Sequence, residues 1–276
     1  MLSHNDYVIK KKKWAKFMIR QLTASLRPHP SFMIIGAQKG GTTSLYCYLQ
    51  QNPRIGSNLR KEVGYFSEHY ENNERWYRAH FALSILPQQR LSFDATPEYL
   101  SHPLVPSRVK AKYPHMKFIL LLRNPVERAY SGYQHVVKRG KEDRTFEEMI
   151  TRLYRLEKLS PAQQNESVQW LPEKGYHNVL ARGKYVDQLT RWFQYFPREQ
   201  FLIMQSEYFY AQTTDAMKQI SAFLEVPYWE TTELKVRNAG GSYPEMDPHT
   251  RQQLVEYFKP YNTRLYQLLG KNYGWE

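Results

Sequence analysis

The residues best placed to do chemistry lie between Ser31 and Leu45, in SFMIIGAQKGGTTSL. A short apolar run, Phe32 to Ile35, breaks into a glycine-rich turn, and Thr42, Thr43 and Ser44 open an amphipathic segment. Strand, glycine turn and helix start together present backbone N–H groups and the positive end of a helix dipole, which suits a phosphate. Against the P-loop spacing G-x-x-x-x-G-K-[ST], Gly36 and Gly41 align and Thr43 fills the last position. The lysine does not fit. Thr42 occupies its slot, and Lys39 lies inside the loop. The segment reads as a phosphate cradle, but not one built for ordinary ATP or GTP hydrolysis.

A second segment adds to it. The apolar run Lys117 to Leu122 ends at Arg123-Asn124-Pro125, and a helix is expected through Glu127, Tyr130, Tyr133 and Gln134. Arg123 at the strand end and Ser131 eight residues on can grip one phosphate between guanidinium and hydroxyl. Open parallel sheets bind ligands beyond the carboxyl ends of their strands, so this turn is expected beside the glycine loop. The two segments together indicate a nucleotide with phosphates at two separate places. No His/Cys cluster has metal-ligand spacing, so no metal is expected.

The elements that must hold these segments alternate. Strands are expected at Phe32–Ile35, Arg90–Asp94, Lys117–Leu122 and Phe201–Met204. Helices are expected after the glycine loop as far as Asn52-Pro53, around Trp76 to Phe81, and through Val109. Others follow from the Thr145/Glu148 capping box, through Val186 to Phe193, from Asp215 to Leu224, and from Pro248 to Leu269. Lys117–Leu122 is continuously apolar, as a parallel strand covered on both faces should be. This is an α/β chain, P-loop-like, with one domain and a central, mainly parallel β-sheet flanked by helices. Residues 1–30 form a basic N-terminal helical extension and 31–276 the domain proper. In the extension, Lys10 to Lys13 precede Trp14, Phe17, Met18 and Leu22, which share a helical face. That face fits packing on the domain with a solvated lysine edge, or else peripheral contact with a membrane.

At 276 residues, the chain is long enough for a full core. Its 39 basic and 26 acidic residues give a formal charge of +13, which favours anionic partners without choosing among them. The single cysteine, Cys47, excludes an intrachain disulfide and is expected to be buried by packing. No stretch reaches the ~18 apolar residues of a membrane span, and no signal peptide is evident, so a cytoplasmic location is expected. Asn165-Glu166-Ser167 matches the glycosylation pattern and is read as chance.

At this point the motifs resemble a known family. GAQKGGTT, Gly36 to Thr43, is similar to the 5′-phosphosulfate loop of sulfotransferases that use 3′-phosphoadenosine-5′-phosphosulfate (PAPS), most of all the heparan-sulfate type and its bacterial relatives. LRNPVERAYS, Leu122 to Ser131, resembles their 3′-phosphate motif. KEVGYF, Lys61 to Phe66, resembles the K-E-x-x-[FY]-F segment with their catalytic glutamate, and Tyr257 to Gly270 their terminal helix. The resemblance implies a PAPS-dependent sulfotransferase domain over 31–276, moving a sulfuryl group to a hydroxyl or amine of a glycan or small natural product. It implies Lys39 as the charge on the leaving oxygen and Glu62 as general base. It also implies Gly40, Gly41, Thr42 and Thr43 around the 5′-phosphate, Arg123 and Ser131 on the 3′-phosphate, and no metal.

Three further residues or segments follow from it. Arg237, in RNAGG, falls where the family closes a loop over the 3′-phosphate. Thr96-Pro97-Glu98-Tyr99 matches the acceptor-side K-[ST]-P-x-Y, but Ala95 stands at the lysine position. His177 could face the acceptor. Separately, the length and polarity of 138–174 alone mark it as the expected acceptor lid. Two rival readings remain: a P-loop small-molecule kinase, disfavoured by the missing Walker lysine, and a non-enzymatic basic binder of nucleic acid or membrane, disfavoured by basic residues spread along the chain.

Overall fold

The computed structural model describes residues 15–56, 58–83, 91–158, 179–230 and 244–275. Its centre is an all-parallel four-stranded sheet ordered β2-β1-β3-β4. The strands are β1 (Phe32–Gly36), β2 (Phe93–Ala95), β3 (Lys117–Leu122) and β4 (Phe201–Gln205). Among the described residues the helices are α1 (15–22), α2 (Thr42–Leu49), α3 (Glu74–Arg78), α4 (Val105–Lys112), α5 (Pro125–Val137), α6 (Phe146–Glu157), α7 (Tyr185–Phe193), α8 (Ser206–Ala211), α9 (Thr213–Leu224) and α10 (Pro248–Leu269). The α/β class with a central parallel sheet is the one the sequence indicates.

Period-two alternation sorts the strand side chains into two layers. Met33, Ile35, Phe118, Leu120 and Leu122 face a core closed by Val109, Tyr185, Leu189 and Trp192. Phe32, Ile34, Ile119 and Leu121 face the other, closed by Leu45 and Leu49 of α2 and Met217 and Ile220 of α9. Each of these fully buried aliphatic or aromatic side chains contributes about 1.5–3 kcal/mol of burial. A third cluster joins α5, α6 and α10 through Val126, Phe146, Leu254 and Phe258. The sheet is therefore covered on both faces, and ligand-binding loops can open only at its ends.

The element bounds agree with the sequence where local chemistry fixes them. Thr145 and Glu148 close the capping box of α6 in both directions, at 2.8 and 3.2 Å. Asp247 caps α10, which ends at Gly270 in the left-handed region. Three expectations shift. β2 covers Phe93–Ala95 rather than Arg90–Asp94, because the chain turns at Thr96 into a 3-10 segment, Pro97–Leu100, while Leu91 makes only a lone bridge to Ile55. Cys47 is half-buried rather than buried.

The third shift is in α1. It docks on the body through polar groups: Arg20 donates to the carbonyls of Ala79 and Phe81, and Arg27 to that of Phe81, at 2.6 to 2.7 Å. Phe17 packs on Trp76 and His80. Met18 and Leu22, expected on the same inward stripe, point to solvent instead, because the arginines take the inward face. No helix among the described residues is long and apolar enough to cross a membrane.

Candidate active site

β1 and β3 are neighbours, and both site segments leave their carboxyl ends. The glycine loop folds straight back onto β3: the Ala37 amide donates to Leu121 O at 2.8 Å, and the Gly40 amide to Ala37 O at 2.9 Å. Gly40 lies so close to the strand that a Cβ there would sit 2.3 Å from the Leu121 carbonyl oxygen. Its amide is thus taken up by the turn, and Gly40 shapes the loop from beneath. Gly41, at φ +99°, is the N-cap of α2. The first amides of a helix have no partner within it, so those of Thr42 and Thr43 stand at the positive end of α2 beside the loop.

A cavity of about 530 Å3 opens over this helix start. Its wall includes Lys39, Gly41, Thr42, Thr43, Glu62, Arg123 and Ser131. Of the expected catalytic and donor-binding residues that are described, all but Gly40, which lies under the loop, are on this wall; Arg237 lies outside the described residues. His177, Asn165-Glu166-Ser167 and residues 159–174 of the expected lid also lie outside them.

Each side chain on the wall is held by its element. Lys39 sits at φ +68° in the loop. Burial pushes its ammonium pKa below the ordinary lysine range, and Arg123, Arg139 and Lys61 push the same way against Glu62. Arg123 Nη1 donates to the Lys39 carbonyl at 3.4 Å, while its own carbonyl accepts from Tyr185 Oη at 2.9 Å. Asn124 caps α5 by accepting from the Val126 and Glu127 amides. Ser131, two turns along α5, is buried at the cavity wall. Glu62, at φ +61°, has an exposed carboxylate 2.5 Å from Lys61 Nζ.

Sequence reasoning missed several residues on the same wall. Lys61 and Arg139 extend its positive charge; His135 lies beside them, and burial, Lys39 and Arg139 press its pKa down, away from the charged form. Ser206 Oγ donates to the Gly40 carbonyl at 2.6 Å, and Tyr210 Oη lies 3.3 Å from Ser44 Oγ. Both belong to α8, which follows β4. Applied to β4, the strand-end rule would have found them. The segment after β2 is not a solvent-facing one: Thr96 and Tyr99 are buried, Pro97 alone reaches the cavity, and Glu98 lies 3.7 Å from Arg182. Among the described residues no group of His, Cys, Asp or Glu could hold a metal ion.

Such a wall is built for a strongly anionic ligand. Helix-end amides and the side chains of Lys39, Arg123 and Ser131 share it with the Glu62 carboxylate.

Comparisons with known proteins agree with this geometry. Residues 29–257 match the family model described as Sulfotransferase domain. The chain is 27% identical to the membrane-associated sulfotransferase kil1 of Dictyostelium discoideum, over 100% of this chain and 73% of that protein. It is 27% identical to the human heparan sulfate glucosamine 3-O-sulfotransferase 6, over 90% and 74%. Against the bifunctional heparan sulfate N-deacetylase/N-sulfotransferase of Drosophila melanogaster it is 28% identical, but spans only 28% of that protein's length. A sulfotransferase from Alicyclobacillus acidocaldarius superposes with a TM-score of 0.74 and 27% identity, over 90% of this chain and 99% of that one. The mouse sulfotransferase SULT7A1 complexed with PAP shares the fold, with a TM-score of 0.50 and 15% identity over 89% of each chain.

Proposed function

Because the chain belongs to the sulfotransferase family and its reaction is sulfuryl transfer, we propose that PAPS is the donor and that the 530 Å3 cavity receives it. The observation that carries this reading is the meeting of Lys39, Glu62 and the Arg123–Ser131 pair on one wall, from three separate segments of the chain. The helix-end amides of Thr42 and Thr43, with Gly41, hold the 5′-phosphate. Arg123 and Ser131 take the 3′-phosphate, and Arg237 is assigned to it by family resemblance.

Transfer is an in-line displacement. The acceptor oxygen or nitrogen bonds to sulfur as the S–O bond to the departing nucleotide breaks. Lys39 meets the charge growing on the bridging oxygen, and Glu62 takes the acceptor's proton. The acceptor is a hydroxyl or amine of a glycan or small natural product; the names of the heparan sulfate relatives favour the glycan, and the basic side chains of Lys61 and Arg139 on the wall suit an anionic one. A panel of acceptors with labelled donor tests this. For the donor, calorimetry should show adenosine 3′,5′-bisphosphate binding well above ATP, with a loss of about 10- to 100-fold in Arg123→Ala, the worth of a charged hydrogen bond. Equal affinity for ATP would return the site to the kinase reading.

We also propose residues 31–276 as the catalytic domain, supported by the family match beginning at residue 29, and 1–30 as an extension that rests on an anionic membrane surface. Ile19, Leu22 and Leu26 are 61%, 81% and 64% exposed on one side of the extension, beside Met18 at 39%. Apolar side chains turned to water, shortly after the lysine run 10–13 in sequence, are what a lipid surface would cover; the Dictyostelium relative is described as membrane-associated. Co-sedimentation with anionic but not zwitterionic vesicles, lost in Leu22→Glu, is the expected result; indifference to lipid charge would refute it. The single cysteine keeps the cytoplasm as the proposed compartment.

A further inference from the structure

Behind the loop that bears Glu62 lies a carboxylate that never reaches the cavity. Asp94, at the middle of β2, is fully buried and accepts three hydroxyl hydrogens. Thr96 Oγ1 donates to Oδ1 at 2.7 Å; Tyr99 Oη and Tyr77 Oη donate to Oδ2 at 2.8 and 3.0 Å. Two of these hydroxyls also accept. The Gly64 amide donates to Thr96 Oγ1, and the Phe66 amide to Tyr99 Oη, each at 3.2 Å.

A hydroxyl has one hydrogen to give. With Asp94 taking it, the oxygen lone pairs of Thr96 and Tyr99 are left to face the amides. Two one-way chains result, amide to hydroxyl to carboxylate, and both begin in the segment 62–66. A third tie, from the Glu62 amide to Ala95 O at 3.1 Å, ends on the same strand. The segment needs such holding, because Glu62 lies at φ +61°, in the left-handed region that residues with a Cβ avoid.

We infer that Asp94, acting through Thr96 and Tyr99, is a positioning residue that mounts the Glu62 loop at the cavity. This rests on the reading of Glu62 as the base. It gives the stretch Asp94 to Tyr99 a different part from the acceptor contact suggested by its resemblance: Thr96 and Tyr99 are 3% and 0% exposed, so neither hydroxyl can meet an acceptor arriving from solvent. Ala95, where the family pattern has lysine, contributes its carbonyl to the mount.

The test is a set of mutant cycles with Glu62→Gln. Thr96→Val and Tyr99→Phe each delete one chain, and Asp94→Asn puts a donor where the hydroxyls need an acceptor. Each should lower kcat by about 10- to 100-fold, the scale of a misplacement near 1 Å, with adenosine 3′,5′-bisphosphate affinity within about twofold, the reading of an intact donor site. Thr96→Ser, which keeps the hydroxyl, should restore the rate. In the Glu62→Gln background the same changes should cost little more, because residues acting through one group are not additive. Asp94→Asn itself is at risk of failing to fold; the two softer variants carry the test if it does. A full extra loss on top of a large Glu62→Gln loss would overturn the mount alone. An unchanged rate in Glu62→Gln would overturn the base assignment and the mount with it.

Discussion

Replacing Gly40 by alanine isolates the fit between the glycine loop and β3. Gly40 has an ordinary backbone angle, so the change adds no left-handed strain; it adds only a methyl group. That methyl would stand 2.3 Å from Leu121 O and 3.0 Å from Ala37 O. Real contacts of this kind essentially never fall below 3.0 Å, so something must move by about 0.7 Å. The Leu121 carbonyl is fixed in the sheet and already accepts the Ala37 amide at 2.8 Å. The loop is the part free to lift, and it carries Lys39 and the start of α2 with it. A displacement approaching 1 Å costs on the order of 100-fold where groups must be aligned, equivalent to about 2.7 kcal/mol. Calorimetry with adenosine 3′,5′-bisphosphate and steady-state turnover would read the effect, with thermal melting as the check on folding. A folded Gly40→Ala protein keeping both affinity and turnover within about threefold, far short of the misplacement scale, would refute the reasoning.

Lys39→Ala should lose turnover by about 100- to 1000-fold, as when a preorganised donor to a developing charge is removed, and lose much less in bisphosphate affinity. Because burial and Arg123 hold the Lys39 pKa down, an anionic ligand should draw a proton back onto it. Calorimetry at alkaline pH in buffers of different ionisation enthalpy should show proton uptake that vanishes in Lys39→Ala. Ser206→Ala removes the 2.6 Å bond to Gly40 O and should cost about 1–2 kcal/mol of stability, as a buried carbonyl is left unpaired; an unchanged melting temperature would count against that role. Burial holds His80 and His102 down to about 4, from an ordinary 6.5. Between those values the unfolded chain binds more protons, so stability is full above pH 6.5 and falls as pH drops toward 4. Denaturant titrations across that range should show the fall, and a His80→Gln, His102→Asn double variant should flatten it.

The parts of the site legible in the sequence were those where backbone geometry restricts residue choice. Gly36, Gly41 and Thr43 announce a helix-end cradle by spacing, and the apolar run before Arg123 announces a buried strand end. Their adjacency followed from how parallel sheets bind ligands, and the Arg123–Lys39 contact bears it out. His135 and Arg139 were not legible, because single basic residues on helix flanks follow no spacing rule; Lys61 stood in the K-E-x-x-[FY]-F match without a role of its own. Ser206 and Tyr210 were missed because the strand-end argument stopped at β3. In α1, periodicity identified an apolar stripe but not which side the body lies on; Arg20 and Arg27, bonded to carbonyls of Ala79 and Phe81, decided that. Thr96 and Tyr99 matched an acceptor-side segment by resemblance, whereas their hydroxyls are taken by Asp94.

Arg123 ties together the two proposed phosphate grips. Its guanidinium holds the Lys39 carbonyl, its own carbonyl is fixed by Tyr185, and the helix that presents Ser131 starts two residues on. A shift of one grip is therefore felt at the other, and the spacing between them is set by how the two strand ends lie side by side. A ligand is then selected by the separation between its two anionic ends as much as by what lies between them. Analogues with a different base but the same span should be accepted, and those one linking atom longer or shorter should engage one grip and forfeit the other.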